Sequence, residues 1–202
     1  MDHLKKLCVH TITTKPWTLK ESLESYSRVG IGGISVWQQA IEPYGVNEAT
    51  RMIADHPLEV VSYVRGGFFP SLDATKRQAA IDHNKKMVEE AAILKAPLLV
   101  LVCGAEPGQS LAASRNQIKD GIEALIPLCQ ELNVKLAIEP LHPMYADTRS
   151  AINTMEQAND LAEAIEAPEV GIAVDVYHLW WDPHLEAEIK RCGKYGNLFA
   201  YH

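Results

Sequence analysis

This sequence is poor in cysteine, has no surplus of positive charge and contains no long apolar run. Each shortage closes off a class of protein. The four cysteines, Cys8, Cys103, Cys129 and Cys192, lie far apart and make no C-x-x-C pair. They read as reduced thiols of a cytoplasmic protein, not as a disulfide frame. A net charge of -7 leaves no basic footprint for nucleic acid, although a small anionic substrate depends only on local charge. The longest apolar stretch, Ala96–Cys103, falls far short of the ~20 residues a membrane helix needs. The start, Met1–Val9, carries three charges and lacks the apolar centre of a secretory signal. Nor is there a glycine-rich phosphate loop: Arg65-Gly66-Gly67 and Cys103-Gly104-Ala105 are too sparse to serve as one. With 202 residues, 47% hydrophobic and 22% charged, and no linker or low-complexity run, a single cytosolic domain over 1–202 is expected.

What is present is an alternation of short apolar runs with amphipathic stretches. Strands are predicted over Leu4–Ile12, Gly30–Trp37, Leu58–Val64, Pro97–Cys103, Val134–Ile138, Val170–Val174 and Asn197–Tyr201. Helices are predicted over Trp17–Val29, Val46–His56, Asp73–Leu94, Ser110–Leu132, Thr148–Ile165 and Pro183–Cys192. Thr18 and Glu21 have the spacing of a capping box, and Pro127 should kink the fourth helix. One strand and one helix per roughly thirty residues argue for βαβ units around a parallel sheet.

Chemistry gathers where the strands end. Val170–Val174 runs straight into Asp175, with His178 three residues on; Val134–Ile138 runs into Glu139, with His142 three residues on; Leu198–Tyr201 runs into His202. Carboxylates and imidazoles at the carboxyl ends of parallel strands are ligand types for a divalent metal. A doubly wound sheet would want a phosphate loop, whereas functional groups on one face at many strand ends suit a (β/α)8 barrel. A complete barrel of that kind takes about 250 residues. The expected fold is therefore α/β, a TIM-type (β/α)8 barrel apparently truncated after the seventh strand, with the C-terminal α7-β8-α8 portion missing.

The segments Arg65-Gly66-Gly67-Phe68-Phe69-Pro70, Ile138-Glu139-Pro140-Leu141-His142-Pro143 and Val174-Asp175-Val176-Tyr177-His178, in that order, resemble the xylose isomerase-like barrel superfamily. Within it, the chain looks most like the sugar phosphate isomerase/epimerase group of ketose 3-epimerases, hydroxypyruvate isomerase and inosose dehydratase. The resemblance implies one metal ion held by a Glu, an Asp, a His and a second Glu, the first three falling on Glu139, Asp175 and His202. The second Glu belongs to an eighth strand, and the two glutamates form the epimerases' acid–base pair. By the same resemblance His178 contacts substrate or supports the groups that do; from its residues alone it could also be a metal ligand or a loop histidine.

Other residues carry two readings each. His142 and Arg149 could grip a hydroxyl or phosphate, although Arg149 equally suits a solvated helix face. Trp37 and Trp180-Trp181 could wall a sugar or serve as core or oligomer interface. Arg65 faces the same mouth after the third strand, unless it pairs with Glu42 or Asp73. Glu106, after the fourth strand, is a mouth residue or a loop acid.

The expected site thus has Glu139 as catalytic base, metal ligands Glu139, Asp175 and His202, and substrate contacts from His178, His142, Arg65, Trp37, Trp181 and Arg149. Two carboxylates with one imidazole suit Mn2+ first, with Mg2+, Co2+ or Zn2+ as alternatives. The expected function is a metal-dependent isomerase or epimerase of a sugar or sugar phosphate, acting through a cis-enediolate. The same scaffold would serve an inosose- or dehydroshikimate-type dehydratase. A zinc apurinic endonuclease would want further histidines after the third and fourth strands, where Arg65 and Cys103-Gly104 stand. A non-catalytic metal-binding remnant is the remaining class. The expected partners are a small carbohydrate and further copies of the chain, as homodimer or homotetramer, with no nucleic acid and no membrane.

Overall fold

Parallel strands buried on both faces place alternate side chains on opposite sides of a sheet, and that period of two arranges this molecule. The structure, a computed structural model, describes residues 3–202; the reading of Met1–Val9 falls in part outside the described residues. In chain order its elements are β1 (Cys8–His10), α1 (Leu19–Val29), β2 (Gly33–Trp37), α2 (Gln38–Ile41), α3 (Val46–Ala54), β3 (Glu59–Gly67), α4 (Ala74–Ile93) and β4 (Leu98–Val102). There follow α5 (Leu111–Glu123), α6 (Ile126–Leu132), β5 (Lys135–Ile138), α7 (Met155–Ile165), β6 (Val170–Val174), α8 (Val176–Leu179), α9 (Leu185–Lys194) and β7 (Leu198–Tyr201). One seven-stranded sheet, all parallel, runs in the order β1-β2-β3-β4-β5-β6-β7. It is a (β/α)8-type sheet carrying seven strands among the described residues.

The sheet curls, and its two faces bury different residues. Leu99 and Leu101 of β4, Leu136 and Ile138 of β5, and Ile172 and Val174 of β6 point outward into the main core beneath the helices. Val64, Leu98, Val100, Ala137 and Ala173 point inward and form a second, smaller cluster with Trp37, Phe199 and Ala200. Continuing that alternation past the strand ends aims Glu139, Asp175 and His202 inward, each two residues beyond an inward alanine: Ala137, Ala173 and Ala200. Small side chains below the rim leave room for the larger polar ones at it.

Several boundaries differ from the sequence expectation for local reasons. The first strand is confined to Cys8–His10 because Leu4–Lys6 and Thr11–Thr14 wind into 3-10 turns. The expected Ser110–Leu132 helix is two helices: Pro127, without an N–H, sits in the first turn of α6 and ends the ladder of α5. The expected Thr148–Ile165 helix begins only at Met155, capped by Thr154, whose hydroxyl accepts the Gln157 N–H at 3.2 Å. Arg149 therefore lies in a loop and not on a helix face. Its carbonyl accepts the Gly104 N–H at 2.8 Å, and Ser150 bridges Gly104 beside β4. The capping box of Thr18 and Glu21 forms as spaced. No described helix is long and apolar enough to cross a membrane.

Candidate metal centre

Ladder hydrogen bonds hold the three inward groups at neighbouring strand ends. The Glu139 N–H donates to Leu101 O at 3.1 Å, the His202 N–H to Val174 O at 2.8 Å, and the Val176 N–H to His202 O at 3.2 Å. Ligand atoms of Glu139, Asp175 and His202 then lie within 4.8 Å of one another. Nδ1 of His202 stands 3.2 Å from Oε1 of Glu139, and no hydrogen bond from the described residues reaches Oε2. Glu139 is 9% exposed, so its charge is largely removed from water. Asp175 divides its labour: Oδ1 accepts the Tyr177 N–H at 2.7 Å and caps α8, while Oδ2 faces Nε2 of His178 at 3.9 Å. A buried carboxylate beside a half-buried one is repelled by it unless a cation compensates them. Two acids and an imidazole, from three adjacent strands, fit a divalent ion of mixed hard character.

A cavity of about 270 Å3 opens over this cluster. It is lined by Glu139, Asp175, His178 and His202 on one side and by Trp37, Arg65 and Arg149 on the other. Burial lowers the pKa of His178, with Asp175 opposing. Its Nδ1 faces the His142 backbone N–H at 3.4 Å, which leaves Nε2 as the proton-bearing nitrogen toward Asp175. His142 and Trp181 do not line the cavity. They stand behind His178: the Trp181 indole N–H donates to His178 O at 2.9 Å, and the His142 ring meets Trp181 edge-on at 5.6 Å. Arg65 makes no ion pair with Glu42 or Asp73; its guanidinium lies over the Trp37 and Phe68 rings. Glu106 turns away, accepting the Gly108 N–H within its own loop.

Residues 23–202 match the family model described as xylose isomerase-like TIM barrel. The chain belongs to that family. A search of curated proteins gave no match. Among solved structures, a Sinorhizobium meliloti 1021 protein, SMc04130, is 42% identical, with 97% of this chain on 72% of that one and a TM-score of 0.92. The IolI protein with a bound zinc atom is 21% identical, with 96% of this chain on 71% of that one and a TM-score of 0.80. A D-psicose 3-epimerase solved in the presence of D-fructose is 16% identical, with 92% of this chain on 67% of that one and a TM-score of 0.78. At the last two identities the likeness is one of fold.

A histidine beside the candidate metal centre escaped the sequence reading. His10, at the end of β1, lines the cavity and meets the His202 ring edge-on at 4.4 Å. Its Nδ1 accepts the Trp37 indole N–H at 3.2 Å, so its own proton sits on Nε2. Burial, and then the neighbouring His202, push its pKa down to about 4, so the ring is neutral near pH 7. The available signal was a histidine ending a strand, the same grammar as His202, but the strand before it is only three residues long.

Proposed function

We propose that this chain is a divalent-metal-dependent isomerase or epimerase of a carbohydrate, moving a proton on the carbon beside a carbonyl. The observation that carries the reading is the convergence of Glu139, Asp175 and His202, with ligand atoms within 4.8 Å of one another under an open cavity. Glu139, Asp175 and His202 would hold the ion; Mn2+ suits the donor set best, with Mg2+, Co2+ and Zn2+ as alternatives. Once bound, such an ion polarises a carbonyl and stabilises the negative charge that develops as the adjacent C–H ionises.

The rest falls to the chain's own side chains. Glu139 takes the proton: it is inward, nearly buried, and keeps Oε2 clear of protein donors. The Nε2–H of His178, held by its contacts with His142 and Asp175, donates to a substrate hydroxyl. Trp37 closes the opposite wall and helps exclude water from the exchanging proton. Return of that proton to the opposite face of the same carbon epimerises; return to the neighbouring carbon isomerises. Glu139→Gln keeps the side chain's shape and removes its basicity. In the Mn2+-loaded protein, exchange of the substrate C–H with deuterated solvent should then fall by about 10²–10⁴-fold, followed by NMR across a ketose panel. Exchange at the original rate would remove Glu139 from the role, and its absence in the unsubstituted protein would sink the isomerase reading.

A further inference from the structure

Beside the cavity over the carboxylate cluster lies a second one, of about 460 Å3, and the two share Ile12, Trp37, Arg65 and Arg149. Lys15 also lines this second space, and among its lining residues there is no aspartate or glutamate. That is against the grain of a chain with 26 acids and 19 lysines and arginines. Among the described residues neither Arg65 nor Arg149 forms a side-chain salt bridge or hydrogen bond. Each guanidinium is instead placed by an aromatic face: Arg65 lies 5.0 Å from the Phe68 ring centre and 5.8 Å from that of Trp37, and Arg149 lies 4.7 Å from that of Tyr145. Stacking fixes the plane of a guanidinium and leaves its N–H edge free for a planar or tetrahedral oxyanion. Burial lowers the Arg65 pKa, and so does the nearby charge of Arg149, with Glu139 opposing from the neighbouring cavity.

Resting on the reading of the first cavity as the reacting end, we propose that the second cavity takes an oxyanion at the far end of the substrate. Arg65 and Arg149 grip it, Lys15 adds charge at the mouth, and the reacting carbons reach across Trp37 toward Glu139. The substrate class is then an acidic or phosphorylated sugar in preference to a neutral ketose.

Calorimetric titration of the Mn2+-loaded protein with D-fructose, D-fructose 6-phosphate and D-fructuronate tests this, and the tighter of the two anions identifies phosphate or carboxylate as the group received. At least one anion should bind about tenfold or more tightly than D-fructose. Arg149→Gln and Lys15→Gln alter exposed side chains and leave the core intact. The anion's advantage should shrink to about threefold or less in the first and fall partway in the second. Inorganic phosphate offered to the metal-free protein should bind weakly and lose that binding in Arg149→Gln. D-fructose binding as well as both anions, an anion advantage untouched by Arg149→Gln, or no binding of any probe would each overturn the proposal. The two readings separate: Arg149-dependent anion binding without C–H exchange removes only the isomerase, while exchange on D-fructose at full affinity removes only the oxyanion site.

Discussion

Asn84 is a polar side chain in the middle of α4 that is fully buried. Its amide donates to Gly67 O and to Ala80 O, both at 2.8 Å, and its Oδ1 accepts the Gly67 N–H at 2.6 Å. It thereby replaces, for the end of β3, the ladder partners that a strand loses where it leaves the sheet. A Cβ on Gly66 would meet Asn84 Oδ1 at 2.6 Å, so glycine is required for that approach. The same bonds fix the backbone that carries Arg65. Asn84→Ala strands the Gly67 N–H and carbonyl out of reach of water and should cost about 1–3 kcal/mol in urea unfolding. An unchanged midpoint would mean that the loop finds other partners. At this scale the sequence spoke clearly where a strand end coincided with an acid, as at Glu139 and Asp175. It was silent on His10 and Asn84, whose roles come from partners 27 and 17 residues away. His142, three residues past Glu139, and Trp181, a candidate sugar wall, were both expected at the cavity, yet the turn after each strand carries them behind His178.

Elements were legible wherever local chemistry decided them. All seven predicted strands exist in the predicted order, because buried parallel strands need continuous apolar runs and few other segments supply them. Helix starts were less secure, and α7 shows why. Residues 148–153 have helical spacing, but Ser150 is drawn to Gly104 and the Asn153 amide group bonds Leu141 O and Ser150 O. Tertiary contacts thus hold that stretch open until Thr154, where T-x-x-Q supplies a genuine cap. Asp182, buried between α8 and α9, adds a carboxylate to the Met155 N–H at 3.0 Å. Thr154→Ala should cost about 1 kcal/mol of stability, since Asp182 still serves the same helix end. Thermal unfolding followed by circular dichroism reads this directly, and no loss would mean that Asp182 alone suffices.

Across the whole molecule, the candidate metal centre joins the carboxyl ends of β5, β6 and β7. Of these, β7 is the least secured: it pairs with β6 alone among the described residues, and Leu198 and Tyr201 are exposed. Between β7 and β1 lies an open space of about 660 Å3, lined by residues of both strands. An ion held by Glu139, Asp175 and His202 would therefore act as a cross-strand tie where the sheet has least packing. Binding that is confined to the native state adds RT ln(1 + [L]/Kd), about 2.7 kcal/mol at a hundredfold excess over Kd. For a chain of this size that corresponds to a Tm higher by roughly 5–11 °C. Mn2+ should produce that shift, EDTA should reverse it, and Asp175→Asn should abolish most of it. Hydrogen exchange locates the effect: amide protection should rise most over 198–202 and 174–176, the segments paired through His202, and little over α4 or β3. A uniform rise across the sheet, or a Tm shift that survives Asp175→Asn, would place the ion elsewhere.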